Sequence, residues 1–195
     1  QDRATEDISV AWDQQLNGWL SEFAPDIMFY MAVPETAKSL YRQRKRWAKG
    51  GSEVWLTNFP KIVKHPLQNI GRTLMFIDQT FSILWSFFFW ISTVIFLYLF
   101  LKYLGTAQWG ALTHLLTLSL VFIGFEMVAG ALQLTAALLI DDRGQKLPYI
   151  LFAPLYMLWW WIMNALTIVT TFIPAIRTIK GHGTGTWVSP QRQHS

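Results

Sequence analysis

The sequence predicts an α-helical membrane protein whose first part is the end of an α/β domain. Three observations carry that prediction. The first is a set of three apolar runs, Phe81–Leu101, Leu112–Ile140 and Leu147–Ile176, in which Glu126 is the one acidic or basic side chain apart from His114. A helix needs about 20 apolar residues to cross a bilayer core, and each run supplies them. The second is the division of charge: residues 1–80 hold 10 Lys/Arg and 9 Asp/Glu, whereas residues 81–195 hold 6 and 3. The third is composition. The chain is 52% hydrophobic and 14% charged, against about a quarter charged in soluble domains. With 14 Phe and 11 Trp it is no disordered linker, and with no Cys it has no disulfide, thiolate metal site or Cys nucleophile. It opens on Gln1, its start is not read as a signal peptide, and it is expected to be the C-terminal piece of a longer protein.

The elements follow in order. Thr5 is placed to cap a helix from about Ile8 to Asn17, and Gly18 stops it. Ile27–Val33 is a short apolar run between Pro25 and Pro34, which predicts a buried strand. Thr36 caps a second helix that runs to about Asn58. Helix, strand, helix is the pattern of an α/β domain. Residues 59–80 set Pro60, Pro66 and Gly71 among Lys61, Lys64, His65 and Arg72. Short, broken helices with basic and apolar faces suit a membrane interface. The spans of residues 81–176 follow, with Pro148, Pro154 and Pro174 expected to kink or shorten the third. Aromatic clusters at Trp85–Trp90 and Trp159–Trp161 divide between interfacial belts and helix packing. Residues 177–195 form a basic, Gly-rich tail.

Two short motifs carry chemistry. In Thr5-Glu6-Asp7, the acids alone are ordinary first-turn residues favoured by the helix dipole. In Gln43-Arg44-Lys45-Arg46-Trp47, positions 43, 46 and 47 fall at i, i+3 and i+4 and share one helix face. An indole stacks on a pyranose ring, a guanidinium grips diphosphate oxygens bidentately, and an amide adds hydrogen bonds. A lipid-binding basic helix accounts for Arg42, Arg44, Lys45 and Lys49, but calls for neither Gln43 nor Trp47. Arg44 and Lys45 are expected to point away from the shared face.

Together, about 40 residues apart and just before the spans, the two motifs resemble those of membrane-embedded family 2 glycosyltransferases. These are the processive synthases of cellulose, chitin, hyaluronan and poly-N-acetylglucosamine. The wording TEDISVAWDQQLNGW and QRKRWAKGGSEVW looks most like the branch that makes β-1,6-linked poly-N-acetylglucosamine. The resemblance implies that residues 1–58 are the acceptor-side end of a GT-A glycosyltransferase domain. It implies Asp7 as catalytic base, Glu6 and Trp47 at the acceptor, and Gln43 and Arg46 at the UDP diphosphate. Trp187 and Arg192 look similar to a cytoplasmic gating tail. A Mg²⁺ or Mn²⁺ ion is expected through an Asp-x-Asp motif that this chain lacks, so no metal ligand is expected here; Asp141-Asp142 is read as a solvated loop pair. The implied partners are UDP-N-acetylglucosamine, the growing polysaccharide, the bilayer and a small membrane accessory subunit, with no nucleic acid. The implied location is a bacterial inner membrane with the site on the cytoplasmic side. The alternatives are a related chitin, hyaluronan or cellulose synthase, or a non-catalytic membrane subunit.

Topology brings two arguments into conflict. The uncharged loop Tyr103–Ala111 suits the outside, and Asp141–Lys146, with Arg143 and Lys146, suits the inside. Three full spans then put the tail outside, although its Arg177, Lys180 and Arg192 favour the cytoplasm. A cytoplasmic tail is expected, with Leu147–Ile176 re-entrant or tilted at Pro154. Glu126, mid-span, either lines a polymer channel or contacts a subunit, or is a protonated or paired packing residue.

Overall fold

The computed structural model describes residues 5–20, 22, 27, 34–67, 70–140 and 146–182. Among these the structure is helical: α1 (Glu6–Leu16), α2 (Ala37–Lys64), α3 (Ile70–Gly105), α4 (Trp109–Ile140), a 3₁₀ turn (Leu147–Phe152) and α5 (Ala153–Ile179). Of the strand expected at Ile27–Val33, residues 28–33 lie outside the described residues.

Helix α1 begins after Thr5, whose backbone is extended at φ −135° and ψ 96°. The Thr5 carbonyl accepts from the Ser9 N–H at 3.3 Å and the Ser9 hydroxyl at 2.9 Å. At the other end Gly18 takes φ +87°, a left-handed position that glycine occupies without strain. The Trp19 N–H then donates to the Gln14 carbonyl at 3.0 Å and the Gly18 N–H to Gln15 at 3.3 Å, closing the helix as a Schellman motif.

Helix α2 opens with a capping box. The Thr36 hydroxyl accepts from the Ser39 N–H at 3.1 Å, and the Ser39 hydroxyl accepts from the Thr36 N–H at 3.2 Å. The helix passes Asn58 and continues through Pro60 to Lys64. Residues 59–64 therefore complete α2 and residues 70–80 open α3, with the break between them, instead of forming separate short helices.

Three helical stretches, Ile70–Gly105, Trp109–Ile140 and Leu147–Ile179, are long and apolar enough to cross a membrane. In the last of these Pro148 sits in the 3₁₀ turn and Pro154 at the second position of α5, where the missing N–H has no intrahelical partner to lose. The expected break at Pro154 is absent. The 27 residues of α5 run on past Pro174, a length of about 40 Å, more than the roughly 30 Å of a hydrocarbon core.

The chain forms two compact units. One comprises the described parts of residues 1–87 and 163–195. Its core is Trp12, Val54, Ile62 and Phe76. Phe76 stacks on Trp55 at 5.9 Å, and meets Trp12 at 6.4 Å and Phe59 at 5.8 Å. Trp55 and Phe87 both reach Phe172 of α5, at 6.3 and 5.3 Å. One aromatic cluster thus joins α1, α2, α3 and α5.

The other unit is Phe88–Ile162. There a Cβ added to Gly130 of α4 would meet Met157 Sδ at 2.5 Å, so glycine permits the close packing of α4 on the start of α5. Phe88 faces Phe122 at 6.3 Å, and Tyr156 stacks on Trp160 at 6.0 Å. Leu120, Val121 and Phe125 are 68, 66 and 72% exposed, an apolar surface suited to lipid.

Phe76→Ala is expected to destabilise the first unit by about 3–5 kcal/mol, the usual cost of emptying an aromatic site. Phe125→Ala, on the exposed face of α4, should change little. Thermal unfolding of the detergent-solubilised full-length protein compares the two; equal effects would contradict the cluster's role.

Candidate functional site

On α2 the positions 43, 46, 47 and 50 follow i, i+3, i+4 and i+7 and form one stripe along the helix. Gln43, Arg46 and Trp47 are half-buried, and Gly50 is buried. Gly50 is where α1 docks. A Cβ at that position would overlap the Thr5 hydroxyl oxygen and lie 2.6 Å from Thr5 Cγ2 and 2.8 Å from Thr5 Cβ. Thr5 is only 3% exposed. Its hydroxyl makes no capping bond and has no hydrogen-bond partner among the described residues. The residue that reads as a cap is therefore a packing contact.

The next residue, Gly51, serves the opposite approach. Its carbonyl accepts from Gln79 Nε2 of α3 at 2.8 Å. One turn further on, Trp55 Nε1 donates to the Thr80 hydroxyl at 2.8 Å, which donates in turn to the Phe76 carbonyl at 2.7 Å. Adjacent glycines thus let α1 and α3 both reach α2 directly after the Gln-x-x-Arg-Trp sequence.

This packing seats Thr5 of the first motif three residues beyond the end of the second. Gly50 lies about one helical turn, roughly 5 Å, beyond Arg46 and Trp47. Thr5 packs on Gly50 at the end of that stripe, and Asp7 follows in the first turn of α1 with an exposed side chain. Glu6 opens α1, but its side chain lies outside the described part.

Arg44 departs from expectation. Its guanidinium carbon lies 4.7 Å from the centroid of the Trp47 ring, a cation–π contact at i, i+3. Arg44 therefore covers one side of the indole, while Lys45 is exposed. The reason is helical geometry, since a residue three positions earlier is a surface neighbour.

The structure adds buried polar residues that the motifs did not single out. Glu53 is fully buried and pairs with Lys49 at 3.4 Å; the signal was the i, i+4 spacing. Asn58 is 0% exposed, and Arg72, 3% exposed, directs Nη2 toward the His65 carbonyl at 3.5 Å. Among the described residues no three His, Asp or Glu gather to hold a metal ion. Trp187, Arg192 and the Asp141-Asp142 pair lie outside the described residues. Glu126 is half-buried in α4, within the second unit.

Helices α1 and α2, which carry the two motifs, precede three helical stretches of membrane-crossing length. Residues 2–173 match Glycosyl transferase family group 2, and the chain belongs to that family. Its relatives include a Poly-beta-1,6-N-acetyl-D-glucosamine synthase of Staphylococcus epidermidis, 32% identical over 98% of this chain and 45% of that protein. The synthase of the same name from Staphylococcus aureus (strain COL) is 33% identical over 98% of this chain and 45% of its own length. The chain thus spans 45% of the length of these curated relatives. No solved structure matches it.

Gly50→Ala is expected to wedge α1 from α2 and cost about 1–3 kcal/mol, as overpacking does. Thr5→Gly in the same chain should recover part of the loss. Unfolding of the single and double variants of the full-length protein forms the cycle; no recovery would deny the contact.

Proposed function

We propose that this chain is the acceptor-side and membrane part of a processive, inverting glycosyltransferase. The full protein would extend a β-1,6-linked N-acetylglucosamine polymer from UDP-N-acetylglucosamine at the cytoplasmic face of a bacterial inner membrane and pass it across. The observation that supports the reading is the seat of Thr5 on Gly50, which packs the start of the helix that carries Asp7 one turn beyond Arg46 and Trp47. The names of the staphylococcal relatives supply the sugar and the linkage.

In this proposal the acceptor hydroxyl attacks the anomeric carbon of the donor from the side opposite the phosphate. The new O–C bond forms as the bond from carbon to phosphate oxygen breaks, and UDP leaves with the electron pair. A sugar hydroxyl is a poor nucleophile, so Asp7 takes its proton in the transition state. Trp47 stacks on the terminal sugar with the side that Arg44 leaves open. Arg46 holds diphosphate oxygens as a bidentate fork, with Gln43 adding a hydrogen bond. Glu6 contacts the acceptor. A divalent ion, if bound, would supply charge neutralisation at the leaving diphosphate; no cluster among the described residues would hold it, and its ligands are assigned to the donor half outside this chain. The exposed apolar faces of α3 and α4 are assigned to lipid and to a small membrane subunit.

Asp7→Asn in the full-length protein should lower sugar incorporation by roughly 10²- to 10⁴-fold, the worth of a general base. Trp47→Ala should shorten the polymer while UDP still inhibits, and Arg46→Lys should weaken that inhibition. Membranes supplied with labelled nucleotide sugars give the readout. Intact synthesis by Asp7→Asn, or incorporation from UDP-glucose alone, would sink the proposal. The gating role of Trp187 and Arg192 needs a cytoplasmic tail. A cysteine introduced as Ser189→Cys should resist an impermeant thiol reagent on intact cells, and labelling from outside would remove that role.

A further inference from the structure

We infer that Arg44 is a positioning residue for Trp47. Its guanidinium holds the indole with one face turned to the acceptor sugar, and it is not a second grip on the diphosphate. The inference rests on the acceptor reading of Trp47. It starts from the cation–π contact, in which the Arg44 guanidinium carbon lies 4.7 Å from the centroid of the Trp47 ring. Both side chains are half-buried, and Arg44 Nε is covered from solvent. A cation shielded in this way holds a ring more firmly than one in open water.

Helical geometry sets Arg44 apart from the residues assigned to the diphosphate. All of these positions lie on α2, where each residue turns the helix by about 100°. Gln43, Gly50 and Arg46 therefore lie about 40°, 60° and 100° to one side of Trp47. Arg44 lies about 60° to the other side, and about 160° from Arg46. Two guanidiniums on nearly opposite sides of one helix are poorly placed to grip one diphosphate together. Arg44 shares its side instead with Gly51, seven residues on, whose carbonyl accepts from Gln79 of α3. Trp47 thus stands between two flanks. One ends at Gly50 under Thr5, and the other is formed by Arg44 and Gly51.

The contact gives the ring a fixed attitude. An indole on a helix has two common χ1 rotamers and a broad, two-fold χ2. Each combination offers a different face and direction to a sugar. A guanidinium over one face favours the rotamer that keeps the contact, and it closes that face to any other ligand. A pyranose then has the opposite face to stack on, and the attitude of that face is set before the sugar arrives. Ordering completed in advance strengthens binding. At an acceptor site the gain is slower release of the growing end between additions, and hence a longer chain. Pairs of this kind at partly exposed sites are worth about two- to fivefold in an equilibrium.

The test separates chain length from donor affinity. Membranes holding the full-length protein are supplied with UDP-N-acetylglucosamine, and product length is measured by gel electrophoresis. Arg44→Met keeps the stem and removes the charge. It should shorten the polymer about two- to fivefold and leave KM for UDP-N-acetylglucosamine unchanged. Arg44→Lys keeps a cation within reach of the ring and should recover part of the length. In the already shortened Trp47→Ala protein, Arg44→Met should have no further effect. Lys45→Gln removes an exposed charge from the neighbouring position, about 160° around the helix from Trp47, and should leave the length unchanged. While Trp47→Ala still shortens the polymer, any of four results would overturn the inference: full length or a raised KM in Arg44→Met, no recovery in Arg44→Lys, the same further shortening in the Trp47→Ala background, or an equal effect of Lys45→Gln. Full length in Trp47→Ala would instead overturn the acceptor reading, and this inference with it.

Discussion

The geometry of the candidate site depends on one contact between a threonine and a glycine. Thr5 occupies the space that a side chain at position 50 would fill, and through it the first turn of α1 is registered against α2. Asp7 is on a helix of 11 residues, too short to be stable alone in water. Its position is inherited from α2, a helix of 28 residues with a complete capping box.

The aromatic cluster holds this arrangement from below. Phe76 gathers Trp12, Trp55 and Phe59, and Trp55 extends the cluster to Phe172. The same Trp55 is tied by its indole N–H to Thr80. A polar segment that follows a short helix is thereby bonded and packed to helices of membrane-crossing length, so the motif-bearing face is part of the membrane scaffold and no loosely tethered domain. Arg44 contributes at closer range by fixing one side of the Trp47 ring.

The spans and the helix ends were legible in the sequence because their signals are local. Uncharged runs mark α3 to α5, Gly18 ends α1, and Thr36 begins α2. What escaped was tertiary. Pro60 reads as a breaker because it removes an intrahelical hydrogen bond, yet α2 continues past it and buries Ile62 to 1% exposure, an apolar gain that favours one more turn. Pro154 reads the same way but falls in the first turn of its helix, where the fault is harmless. Thr5 reads correctly as the residue before a helix, but its hydroxyl is committed to packing, which no local pattern reveals. The two motifs were visible as a resemblance; the glycine on which Thr5 packs was not. Glu53 and Asn58 drew no notice because burial of α2 depends on neighbours far along the chain.

Every Ser and Thr of α4 donates its hydroxyl to the carbonyl four residues back: Thr113, Thr117, Ser119 and Thr135 at 2.7, 2.9, 2.9 and 2.7 Å. Thr167, Thr170, Thr171 and Thr178 of α5 do the same at 2.8, 2.6, 2.6 and 3.1 Å. Such bonds satisfy the hydroxyls where no water can. They also consume the donors that would otherwise identify a neighbouring helix. Recognition by hydroxyls is thereby removed from these two surfaces, which leaves relief, meaning the knobs and hollows set by side-chain size, beside a few other polar side chains such as Glu126, Gln133 and Asn164. Against such surfaces a neighbouring helix is met mainly by fit, at positions where its contour matters more than its hydroxyls.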